Sequence, residues 1–320
     1  MATAMFTTMA SGHPGPGIVV DSNGVISFVY GPSSRVWRVT REGHASIMTE
    51  GGLDEAFRVP HHLYLDADGA LITASDAGSN VWRITSDGAR ASIMSPANAK
   101  RNDLEQPFPA IGLGGDPFIL DERDGSVVTV DRREEARNKE QLVRIDPNGA
   151  VTALAGAERD AMQDGVGEAA RFAGLHGAGF AWAANGDLIL TDGGKALRRV
   201  TPDGSVVTIT DAESAPFEML IGVATTDVGV IFAADYYGHR IYRIDADGTV
   251  ETLAGTGARG SADGGLSDAS FDGPVGLAID DSQTLFVLEI TQSGDRESAR
   301  VRAIDLEART VETVVVIADP

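Results

Sequence analysis

Residues 154–172 read LAGAERDAMQDGVGEAARF, and residues 253–271 read LAGTGARGSADGGLSDASF. In both, Leu-Ala-Gly is followed at one spacing by Asp-Gly (164–165 and 263–264) and then by Ala-x-Phe (170–172 and 269–271). A shorter echo, EGGLDEAF, stands at 50–57. Self-similarity on this scale marks a repeat architecture. Outward from each copy the same order returns: a glycine-rich lead-in, an apolar strand, a turn with Gly, Asn or Asp, and a second apolar strand. A third strand of the type φ-x-R-φ follows: VWRVT at 36–40, VWRIT at 81–85, LVRID at 142–146, LRRVT at 197–201, IYRID at 241–245 and VRAID at 301–305. Asp-Gly or Asn-Gly turns stand at 87–88, 148–149, 203–204 and 247–248, and a fourth strand closes each unit.

Six four-stranded units emerge, roughly at residues 11–50, 57–96, 107–156, 172–211, 217–255 and 271–318. Period-2 alternation with turn dipeptides between strands predicts antiparallel sheet. One such unit cannot bury both of its faces, whereas six stacked about an axis can. The expectation is all-β: one six-bladed β-propeller domain spanning 1–320. The Asp-Gly pairs at 164–165 and 263–264 read as turn residues.

The L-A-G…D-G…A-x-F linker, the P-x-G-φ-x-x-D run from Pro274 to Asp280 and the φ-x-R-φ strand resemble NHL repeats, over about residues 11–317. What the resemblance implies is a six-bladed propeller. Its relatives include ligand-binding and interaction domains, SMP-30/gluconolactonase-like lactonases, strictosidine-synthase-like proteins, peptidylglycine amidating lyase and virginiamycin B lyase. The amidating lyase holds metal histidines at its propeller mouths, with a Pro-His lead-in. Here Pro60-His61 matches that pattern directly; GHPGPG around His13 and LHGAG around His176 match it more loosely.

Composition removes whole classes of chemistry. There are 47 Asp and Glu against 26 Lys and Arg, a formal charge of −21, so the field repels a phosphate backbone and no nucleic-acid partner is expected. Without cysteine there is no disulfide, thiolate nucleophile or iron–sulfur cluster. No stretch approaches the ~20 apolar residues of a membrane span, and the N-terminal MATAMFTTMASGHPG lacks a basic, apolar leader pattern. A soluble, cytoplasmic protein is expected.

In a blade the first strand, A, lines the axis, and the second, B, runs back. Residues before A and residues ending B therefore share one mouth of the channel. Before A stand His13, Arg58, His61, His62, Asp116, His176 and Glu218; at the ends of B stand Tyr30, Asp76, Asp131, Asp192, Asp235 and Glu289. Four of the six histidines fall in this set. Where other copies carry glycine, which would keep the mouth open, His61 and His62 place imidazoles, which ligate metals and carry protons near neutral pH. His62 also suits packing between blades. Histidines from three blades suit a borderline divalent ion, so His13, His61 and His176 are the expected metal ligands, for Zn²⁺ first, with Ca²⁺ or Mn²⁺ as alternatives. The B-strand aspartates recur and read as structural. Tyr30 and Glu289 break that pattern and, with Asp76 and Arg58, are the candidate acid, base and substrate-binding groups. The inserts RREEARNKE and TQSGDRESA between strands B and C are expected to wall this mouth.

Two functions fit. One is a metal-assisted lyase or hydrolase acting on a small molecule at the channel mouth. The other is a non-catalytic propeller that binds a ligand or a protein partner.

Overall fold

The computed structural model describes residues 17–30, 35–49, 62–74, 81–94, 117–131, 136, 138–158, 162–293 and 296–318. Among them are six antiparallel sheets, each containing a four-stranded meander in chain order. Blade one is built of Ile18–Val20, Ile26–Tyr30, Arg35–Val39 and Ala45–Thr49, and blade two of Leu63–Leu65, Leu71–Ala74, Val81–Ile84 and Arg90–Met94. Blade three is Phe118–Asp121, Ser126–Val130, Lys139–Ile145 and Val151–Glu158. Blade four is Phe180–Trp182, Leu188–Asp192, Ala196–Val200 and Ser205–Asp211. Blade five is Leu220–Thr225, Ile231–Asp235, Arg240–Ile244 and Val250–Ala254, and blade six is Pro274–Ile279, Thr284–Ser293, Arg296–Asp305 and Thr310–Ala318. We call the strands of each blade A to D. The architecture is the expected six-bladed β-propeller.

Two blades depart from the four-strand expectation. Gly165–Val166 pairs with strand D of blade four, and Gly264–Gly265 pairs with strand D of blade six, each as a fifth, outermost strand. The Asp-Gly pairs read as turns thus begin edge strands. The linker that leaves blade three or five hands a strand to the next blade.

The cores lie between blades. Six apolar clusters join blades one and two, two and three, three and four, four and five, five and six, and six and one. Strand alternation explains this, because successive side chains leave opposite faces of a strand. In blade five Phe232 and Ala234 enter the core shared with blade six, while Ile231 and Ala233 enter the one shared with blade four. Both faces are buried, so strand B reads as an unbroken apolar run. The seam of blades six and one closes through side chains, with Ile18, Phe28 and Val39 against Val275, Phe286 and Val301. Arg41 also pairs with Asp280 across it.

Strand D carries one extra residue opposite strand C in every blade: Met48, Ile93, Leu154, Ile209, Leu253 and Val314. A bulge bends and twists its strand. The carbonyls of Met48, Leu154 and Val314 then lie where a Cβ on Gly88, Gly204 or Gly43 would sit, at 2.3, 2.3 and 2.6 Å. These glycines have φ of +84°, +83° and +84°. Each therefore serves both its own C–D turn and the neighbouring blade.

The A–B turn of blade three holds a second kind of contact. Asp121, 3% exposed, accepts hydrogen bonds from Arg123 Nε at 2.7 Å and Arg144 Nη1 at 2.9 Å. The Arg123 hydrogen bond, aided by Arg144, holds its carboxyl down at about 2, against the opposing effect of burial. A lowered carboxylate contributes stability above its unfolded value, near 4, and loses it as pH falls through about 2. Asp121→Asn is therefore expected to remove about 1–2 kcal/mol of the stability lost between pH 4 and pH 2, the lower figure allowing for solvent at Arg123. Denaturant midpoints measured across that range check it; identical acid limbs in both proteins would refute it.

Candidate functional site at the upper mouth

We call the mouth at the starts of strands A the upper mouth. Its framework is a set of buried carboxylates on strands B, at the last residue in blades four and five and mid-strand in blade six. Asp192, fully buried, accepts the Ala173 and Gly174 N–H groups at 2.8 and 3.0 Å. Asp235 accepts those of Glu218 and Met219 at 2.8 and 2.7 Å, and Glu289 accepts that of Asp272. In each case a carboxylate clamps the backbone that leads into strand A. Short of these ends, Thr73 and Thr129 donate to the carbonyls of His62 and Pro117, and Thr191 accepts from Gly179 N–H.

Behind two of these carboxylates lies a buried arginine. Arg198, 0% exposed, donates to Asp192 at 2.7 Å and to Asp164 at 3.1 Å. It also donates to the carbonyls of Arg171 and Gln163, and lies 5.5 Å from the Phe172 ring centre. Arg302, equally buried, does the same with Asp263 at 2.7 Å, Glu289 at 3.5 Å, the carbonyls of Ser270 and Ala262, and Phe271. The linker's Asp and Phe and the B-strand carboxylate are thus three parts of one device, centred on the x of φ-x-R-φ. That slot is Trp37, Trp82, Val143 and Tyr242 elsewhere. Burial pushes the carboxyls of Asp192 and Glu289 up, against the pull of the backbone N–H groups and arginines around them.

The expected site residues fall unevenly. Glu289 does in blade six what Asp192 does in blade four, and its oxygens meet Asp272 N–H, Arg300 and Arg302. His176 is exposed on the loop that Asp192 clamps. His62 is 2% exposed and meets Phe118 of blade three edge-on, ring centres 6.1 Å apart, as packing between blades. Tyr30 closes strand B of blade one, but its side chain lies outside the described residues, as do His13, Arg58, His61 and Asp76. Asp116 and the blade-three insert around 132–135 lie outside them too. The blade-six insert is no loop: strands B and C run on as one hairpin to the Ser293–Arg296 pair. His239, at φ +51°, accepts the Gly273 N–H on Nδ1 at 3.1 Å. Among the described residues no three His, Asp or Glu side chains converge to hold an ion. The described residues therefore do not assemble the expected metal centre by themselves.

Glycines at the start of strand A, Gly179 just before it in blade four and Gly222 within it in blade five, do something other than keep the mouth open. A Cβ on Gly179 would stand 2.3 Å from the Ile221 carbonyl oxygen, and one on Gly222 would stand 2.6 Å from that of Val275. They let neighbouring A strands approach backbone to backbone. Below them the axis is a cavity of about 290 Å³ lined by strand A of all six blades, mostly by Ile, Leu, Val and Ala.

Fold and site together define the class: a six-bladed β-propeller with an axial channel and clamped loops at its upper mouth. The chain shares that fold with virginiamycin B lyase from Staphylococcus aureus (TM-score 0.52, 14% identity, 94% of this chain and 84% of that one). It shares it equally with a gluconolactonase from Xanthomonas campestris (TM-score 0.56, 13%, 97% and 88%). Regucalcin from Agrobacterium tumefaciens, a calcium-binding protein, is a third structural neighbour (TM-score 0.56, 14%, 97% and 93%). In sequence, 87 residues are 38% identical to Protein SUPPRESSOR OF QUENCHING 1, chloroplastic, of Arabidopsis thaliana; they are 27% of this chain and span 8% of that protein. No family model matches the chain. Among the described residues no helix is long and apolar enough to cross a membrane.

Proposed function

We propose that the chain is a metal-assisted lyase or hydrolase that takes a small molecule at the upper mouth. The observation that carries this reading is His176. It stands exposed on a loop whose backbone is fixed by the buried Asp192 carboxylate, so an imidazole is presented at the mouth on a rigid support. His13 and His61, from the lead-ins of blades one and two, would complete the donor set. Bound there, a divalent ion would polarise a substrate oxygen or acidify a water. Tyr30, Asp76 and Arg58 are the proposed acid–base and binding groups. Glu289 is a positioning residue, setting the lead-in of blade six through Asp272. The likeness to a lyase and a gluconolactonase supports an enzyme on this scaffold.

Metal content by mass spectrometry, on tag-free protein purified without chelator, tests it. We expect about one equivalent of Zn²⁺, Mn²⁺ or Ca²⁺ in the wild type and at least tenfold less in His61→Ala and His176→Ala, whose melting temperatures should match that of the metal-stripped wild type. A metal-free wild type that also fails to take up added Zn²⁺, Mn²⁺ or Ca²⁺ would overturn the metal site and leave a binding propeller.

A further inference from the structure

We propose that the lower mouth, at the A–B turns, carries a second small-molecule site built on Tyr64, Trp182 and Arg123, for a neutral planar aromatic compound bearing a carbonyl or hydroxyl oxygen. This site is separate from the upper mouth and does not rest on the reading given for it. A cavity of about 480 Å³ lies between the A–B turns of blades three and four, against the strand A ends of blades one and two. Its size is that of small-ligand pockets. Val19, Leu65, Ile119 and Leu120 give it aliphatic walls, and Trp182 gives it an aromatic one.

That aromatic wall is fixed. Trp182 Nε1 donates to the Leu120 carbonyl at 2.9 Å, which ties the indole of blade four to blade three. The Arg123 guanidinium lies 5.3 Å from the centre of the same ring system. Two hydrogen bonds to Asp121, at 2.7 and 2.8 Å, hold Arg123 in turn. Its Nη1 rests against Gly186, where an added Cβ would come within 2.3 Å. A preformed flat wall lowers the ordering cost of stacking a planar ring.

The polar anchor is Tyr64. It is half-buried, lines this cavity and the axial one alike, and packs edge-on to Phe118 at 5.2 Å. Its hydroxyl offers an O–H donor beside the aliphatic wall, and a carbonyl or hydroxyl oxygen on the ligand would accept it. Its phenol is neutral at physiological pH, and desolvation raises its ionisation further above the usual tyrosine range. Charge selects against anions: the Arg123 charge is met by Asp121, and Glu122 adds a further negative charge at the rim.

Coumarin is the probe: planar, neutral and carrying a carbonyl. Titration followed by calorimetry and tryptophan fluorescence should show saturable binding below millimolar in the wild type. Tyr64→Phe should weaken it about tenfold, and Leu65→Trp, which fills the cavity, should abolish it. His176→Ala should leave it unchanged, which separates this site from the upper mouth. No saturable binding to the wild type, or equal affinity in Tyr64→Phe, overturns the proposal. Both outcomes are independent of metal content.

Discussion

Replacing Arg198 by methionine is expected to cost about 3–5 kcal/mol of folding stability, the range for breaking a buried ion pair from one side. The arginine is 0% exposed and so is the Asp192 carboxylate it meets at 2.7 Å. Without the guanidinium, Asp192 keeps its two backbone N–H donors but has no countercharge in an apolar surround. The carbonyls of Gln163 and Arg171 lose donors as well, and a buried acceptor without a donor adds its own penalty. The comparison with Asp164 sharpens the point. It bonds the same arginine at 3.1 Å but is half exposed, so Asp164→Ala should cost no more than about 1–2 kcal/mol. Adding Asp192→Asn to Arg198→Met should recover part of the loss by removing the stranded charge. Guanidinium unfolding of the four proteins checks this. If Arg198→Met costs under about 1 kcal/mol, the buried device is not what holds linker to blade.

The second large effect is steric. Gly179→Ala sets a methyl 2.3 Å from the Ile221 carbonyl oxygen and 3.0 Å from the Val223 amide nitrogen. Both obstacles are backbone of the innermost strand of blade five, so neither can rotate away. Blade four must move from blade five at the axis, and overpacking of this kind costs about 1–3 kcal/mol or more. Gly222→Ala repeats the experiment between blades five and six. The control is Gly69→Asn. Gly69 has φ +77° but nothing within 4 Å of an added Cβ, and asparagine tolerates that conformation, so the cost there should stay under about 1 kcal/mol. Thermal melts rank the three. Equal losses at Gly69 and Gly179 would show that backbone conformation, not blade contact, sets the price.

How much of this was written in the sequence depends on distance along the chain. Strands and blades were legible because their signal is local: alternation of apolar residues, a turn dipeptide, a third-strand pattern returning in order. The buried devices were not, although every part was in view. Asp164 and Asp263 looked like turn residues because Asp-Gly is a turn dipeptide. Glu289 looked like an exception because its neighbours in the pattern are aspartates. What unites them is an arginine 34 or 39 residues after the linker aspartate, in a slot that elsewhere holds Trp, Val or Tyr. The available signal was that Arg enters this slot in the two units that follow a full LAG…DG…AxF linker. The glycines were misread for a related reason. Their neighbour is a carbonyl of another blade, and side-chain type says nothing of backbone approach. The lower-mouth residues gave no signal at all, since LYL and FAW are ordinary strand runs until the ring brings Tyr64 and Trp182 to one cavity.

The placement of the cores between blades, rather than within them, has a further consequence. A linear array of repeats frays, because its terminal units have a neighbour on one side only. Here the last core joins blade six back to blade one, so every blade is an interior one. Melting has no end from which to start. Whichever seam parts first must expose two apolar half-faces at once, and each blade beside it keeps only one neighbour. Closure into a ring thus turns a stack of weakly autonomous sheets into one cooperative body.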